Sequence, residues 1–157
     1  MFIWHRVFGV LEDEPDPAQL CAELARQGMD VRPAFRGDDQ GWFEARLELI
    51  GRSSSLQVNR YLVREERMRG DLNSWCAWLE TLPDGPARDS VLDSLVATTQ
   101  IFTIFEDAVD EEASPACEIL TRWLAERLGG VYQIDGQGFF DSSARLMVEE
   151  SHDRARA

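Results

Sequence analysis

Apolar and polar positions alternate most cleanly between residues 42 and 49, where Phe43, Ala45, Leu47 and Leu49 interleave with Trp42, Glu44, Arg46 and Glu48. A period of two sends one set of side chains to a core and the other to solvent, so this segment is predicted to be a half-buried strand. Residues 2–11, 31–35, 56–63, 98–105, 131–134 and 139–148 are rich in β-branched and aromatic residues, and turn-forming residues flank most of them. They are predicted strands as well. Helical spacing begins at Asp16 and Pro17, a capping residue followed by a proline suited to the first turn, with Leu20, Cys21, Leu24 and Ala25 on one side before Gly28. Asp71 precedes a second stripe of Leu72, Trp75, Cys76 and Leu79, widened by Trp78 and Leu82. Pro83 interrupts it, and the run Asp84, Gly85, Pro86 starts a third helix that carries Val91, Leu92, Leu95 and Val96. Ser114 and Pro115 open a fourth, with Ile119, Leu120, Trp123, Leu124 and Leu128 ahead of Gly129 and Gly130.

The order of these elements suggests a duplication. Phe8, Glu12 and Asp13 match Phe102, Glu106 and Asp107, and Gln40, Gly41 and Phe43 match Gln137, Gly138 and Phe140. Ala45, Arg46 and Leu47 likewise match Ala144, Arg145 and Leu146. The expected fold is therefore α+β and ferredoxin-like, a mostly antiparallel sheet with helices on one face. Two related β-α-β-β units, about 2–63 and 99–149, are joined by a helical connector, about 66–97. One domain spans residues 1–150, and 151–157 form a charged tail expected to fray.

At 157 residues, with 44% hydrophobic positions, the chain is long enough to bury a core without a staple. It carries 29 acidic residues against 16 basic ones, a formal net charge of −13. All the basic residues are arginine, which reads as coding bias towards GC-rich codons and points to a bacterial source. Such a charge repels phosphate backbones, and the one basic stretch, Arg60, Arg64, Arg67 and Arg69, is interleaved with Glu65, Glu66 and Asp71. Direct nucleic-acid binding is not expected, and neither is a membrane span, because no long uncharged apolar window exists. Cys21, Cys76 and Cys117 are isolated within apolar patterns, as buried thiols of a reducing, cytoplasmic compartment would be.

No nucleophile elbow, phosphate loop, dinucleotide fingerprint or paired histidine ligands appear, so no catalytic residue, metal ligand or cofactor is assigned. His5 stands alone in the first strand, as a structural hydrogen-bonding residue would. What remains is acidity and exposed aromatics. Trp42 falls on the polar side of its strand and Trp78 at the edge of its stripe, where each could anchor a contact. Asp38, Asp39, Asp135, Gln137 and Asp141 cluster at the two D-x-Q-G turns and could form a shared acidic rim. The leading reading is thus a non-catalytic interaction module for a basic protein partner, of inhibitor or immunity type, with homodimerisation a further option. The alternatives are a small-molecule sensor or carrier with an apolar cleft between sheet and helices, and an enzyme using Glu12, Glu106 or Asp135 as acid or base.

Overall fold

The computed structural model describes residues 2–107 and 110–150; the 151–157 tail lies outside them. The chain runs β1 (Phe2–Gly9), α1 (Pro17–Arg26), β2 (Val31–Asp38), β3 (Gly41–Leu49), β4 (Ser55–Leu62), α2 (Glu66–Glu80) and α3 (Pro86–Val96). It continues with β5 (Gln100–Asp107), α4 (Ser114–Arg127), β6 (Val131–Ile134), β7 (Gly138–Phe140) and β8 (Leu146–Glu149). The strands make one antiparallel sheet of eight in the order β2-β3-β4-β5-β1-β6-β7-β8. That sheet is larger than a ferredoxin-like one.

The helices cover both faces of the sheet rather than one, and the alternation of the central strands explains why. Val7, Phe102 and Ile104 point to one side, where Leu20 and Leu24 of α1 and Cys117, Leu120 and Leu124 of α4 close over them. Phe8 and Ile101, one residue out of step, point to the other, beneath Met68, Leu72 and Leu79 of α2 and Val91 and Leu95 of α3. Strands apolar on both sides need two covers.

The two proposed units are not assembled alike. After α1 the chain enters at the edge strand β2 and steps inward, whereas after α4 it enters beside β1 and steps outward. Phe8 and Phe102, matched in sequence, lie in opposite cores. Ala45 is a buried strand residue, while its counterpart Ala144 occupies a turn at φ 68°. The expected strand over 139–148 is two strands, because Asp141 accepts from the backbone of Ser143 and Arg145 and turns the chain. The second helix starts at Glu66, five residues before Asp71.

One departure from alternation decides the position of a tryptophan. The pairing of β2 with β3 shifts between Arg36 and Gly37, so that Arg36 faces Glu44, Gly37 faces Trp42, and Phe43 is skipped. This bulge turns Trp42 onto the same side as Ala45, Leu47 and Leu49 and leaves Phe43 exposed, with the Arg36 guanidinium 5.6 Å from its ring centroid.

Candidate functional site

Three of the expected site features come apart in the folded chain. Trp42 is a core residue only 4% exposed, packed on Phe102, its indole N–H donating to the Pro15 carbonyl. Trp78 is half-buried and stacks on Phe139. The two D-x-Q-G turns sit at opposite ends of the sheet, because β2 and β6 run in opposite directions in the antiparallel order. Asp38 and Asp39 therefore cannot share a rim with Asp135 and Gln137.

Asp38, Asp135, Gln137 and Asp141 also have local work. Asp38 accepts from the Gln40 amide, and the Gln137 amide donates to the Ile134 carbonyl. Asp135 receives the Arg6 guanidinium at 2.6 Å, and Asp141 gathers the Ser143 hydroxyl with two backbone amides. Those hydrogen bonds, the Ser143 hydroxyl first, hold the Asp141 carboxyl below the usual range of an aspartate. In the acidic segment after β1, Glu14 accepts from the Trp42 amide, and Gln100 donates to the Leu11 and Asp13 carbonyls. Asp110, after β5, accepts from the Ser54 hydroxyl and from the amides of Glu112 and Ala113 at the start of α4. Arg60, expected within a solvated stretch, is buried and donates to Gln100 and to the carbonyls of Gln40 and Trp42.

A more constructed site lies between α2 and the middle of the sheet. Cross-strand pairing sets Asn59, Thr103, Arg6 and Gln133 side by side on β4, β5, β1 and β6, a polar row running across four strands. The next row towards one end, Tyr61, Ile101, Phe8 and Val131, is apolar and carries α2. The row on the other side contains Trp4 and Phe105, whose rings stack at 5.0 Å. Where α2 lifts off the polar row a cleft of about 360 Å³ opens, walled by Trp4, Tyr61 and Trp75, with Arg67, Asp71 and Ser74 along the helix.

Two features distinguish this cleft from an ordinary gap in packing. Arg6 is fixed by Gln133 and Asp135, and its guanidinium lies 5.4 Å from the centroid of the Trp75 ring. Thr103 Oγ1, beside it, is sealed from solvent and has no hydrogen-bond partner among the described residues. A buried hydroxyl without a partner costs stability, so native structures keep few of them. No local motif marks these residues. They come from segments far apart in the chain and meet only through the strand order.

The opposite face of β1 holds a second group of reactive side chains. His5 Nε2 is 2.8 Å from Glu106 Oε2, and Cys117 lies in the same cluster. Burial pushes the Cys117 thiol well above its ordinary range, and the charge of Glu106 adds to the shift. Cys21 and Cys76 are free and half-buried, and no helix among the described residues is long and apolar enough to cross a membrane. Comparison with protein-family models, with curated proteins and with solved structures gives no match.

Proposed function

We propose that this protein binds a small molecule in the cleft between α2 and the sheet, as a sensor or carrier rather than an enzyme. The observation that carries the reading is Thr103 Oγ1, a buried hydroxyl lacking a partner in the wall of a cleft that also holds a pre-oriented arginine and four aromatic rings. Small-molecule sites are concave, mostly apolar and aromatic, with a few fixed polar groups that set orientation. A cleft of about 360 Å³ falls within the range such sites occupy. The occupant that fits is a small planar molecule, stacked against Trp4 or Trp75, with a hydrogen-bonding edge for Thr103. Because its hydroxyl is sealed in the present rotamer, Thr103 would have to turn about χ1 to reach that edge.

The reading of a docking module for a basic partner draws support only from net charge, since Trp42 is buried and the acidic turns are far apart. The cleft reading has a localised test. A thermal-shift screen of planar heterocyclic metabolites should raise the melting temperature with some members, and those members should quench tryptophan fluorescence. Substitution Trp75→Leu should abolish the response. If no compound in the screen stabilises the protein or perturbs its fluorescence, the cleft is not a ligand site.

A further inference from the structure

Behind Arg6, on the α1 and α4 side of the sheet, one ring nitrogen of His5, a carboxylate oxygen of Glu106 and Cys117 Sγ all lie within 4.8 Å of one another. We infer that these three side chains bind a single divalent transition-metal ion of the zinc class, with a fourth position left for water. Imidazole nitrogen, carboxylate oxygen and thiolate sulfur are the three ligand types zinc takes from proteins, and three protein ligands with one open position is the pattern of a reactive rather than a closed structural site. Bonds of about 2.0–2.3 Å set tetrahedral ligands roughly 3.3–3.8 Å apart. To reach that arrangement the 2.8 Å separation of His5 Nε2 and Glu106 Oε2 has to open by about half an ångström, and atoms up to 4.8 Å apart have to close by about an ångström.

Three elements supply the ligands: β1, β5 and α4. The backbone frame is rigid, because β1 pairs with β5 along its whole length and Cys117 is fully buried. Of the three ligands the Glu106 side chain is the most exposed, at 12%, so an ion and its water would enter on that side.

The group next to the ligands fits the same role. Thr121 Oγ1 donates its only proton to the Cys117 carbonyl at 2.7 Å, so towards His5 Nδ1, 3.3 Å away, it can only accept. While no ion is bound, the 2.8 Å contact of Nε2 with Glu106 needs a proton between them; when an ion takes that place the ring proton resides on Nδ1, facing Thr121 Oγ1, and the Nε2 lone pair is directed at the ion, as in a metal-binding histidine. On coordination the Cys117 S–H bond breaks, the sulfur lone pair bonds to the ion, and the proton leaves to solvent.

The test is titration of chelator-treated, full-length protein with Co²⁺. The expected result is a near-ultraviolet sulfur-to-cobalt charge-transfer band that saturates at one equivalent and disappears on adding Zn²⁺. Cys117→Ala should remove the band, and Cys21→Ala and Cys76→Ala should leave it unchanged. Thr121→Val keeps all three ligands and should weaken Co²⁺ binding about 10–100-fold. Absence of the band in the folded wild-type protein overturns the assignment without recourse to any variant. So does a band that survives Cys117→Ala, or an affinity that Thr121→Val does not change.

Discussion

Thr103 illustrates a residue whose cost and use are separable. Its hydroxyl is shut away from water with no partner among the described residues, and desolvating such a group costs about 1–3 kcal/mol. Thr103→Val is therefore expected to stabilise the ligand-free protein by about 1 kcal/mol in urea denaturation. It should also weaken any ligand found in the cleft about tenfold, because the lost hydrogen bond belongs to the complex. Were the valine protein both less stable and equally good at binding, Thr103 would be a packing residue with no part in the site. Ala144 carries a cost of another kind. Its φ of 68° lies in the left-handed region, where a Cβ clashes with the following carbonyl oxygen. Ala144→Gly should raise stability by about 0.5–1 kcal/mol, the relief being partly offset by the greater freedom of glycine in the unfolded chain. A lower denaturation midpoint in the glycine variant would show that the turn depends on the methyl group.

Among the elements, the β7–β8 connection and the edge strand β2 show how local chemistry constrains the sheet. The connection turns on Asp141, whose depressed carboxyl implies a defined pH dependence. A group with a folded pKa below its unfolded value contributes stability that is fully present above the unfolded value and lost as pH falls through the folded one. Asp141→Asn should thus lower the urea midpoint at neutral pH, and the gap between the two proteins should close as pH drops below the 3.8 of an ordinary aspartate. A gap that stays constant with pH would assign the effect to shape rather than charge. In β2, Pro33 lacks an N–H and can sit only where no neighbour requires one, which marks the strand as an edge. Arg32 and Arg36 and the bulge opposite then guard that edge against pairing with another chain.

Taken as a whole, the molecule carries a charge of −13, and some of its acidic side chains have local tasks as caps, turn acceptors or ion-pair partners. The uncompensated remainder repels itself, so moving from low ionic strength to about 0.15 M sodium chloride, where the Debye length is about 8 Å, should raise the melting temperature. A fall over that range would mean that attractive pairs outweigh the repulsion. Legibility in the sequence followed the range of the interactions. Eleven of the twelve elements could be placed from period, caps and breakers, because a period of two or 3.6, an Asp-Pro start and a Gly-Gly stop are written in neighbouring residues. The twelfth came from dividing 139–148, where the hydrogen bonds of Asp141 override strand propensity. The side on which Trp42 faces was not legible, because a single skipped residue reverses every orientation before it. Nor was the polar row of Asn59, Thr103, Arg6 and Gln133, or the meeting of His5 with Glu106 and Cys117. The amino-acid sequence alone determined that this chain builds strands and amphipathic helices of these lengths and carries this charge. Only the tertiary structure decided which strands became neighbours and which faces were covered, because that choice depends on burying two apolar faces at once, a property of the assembled sheet that no single segment contains.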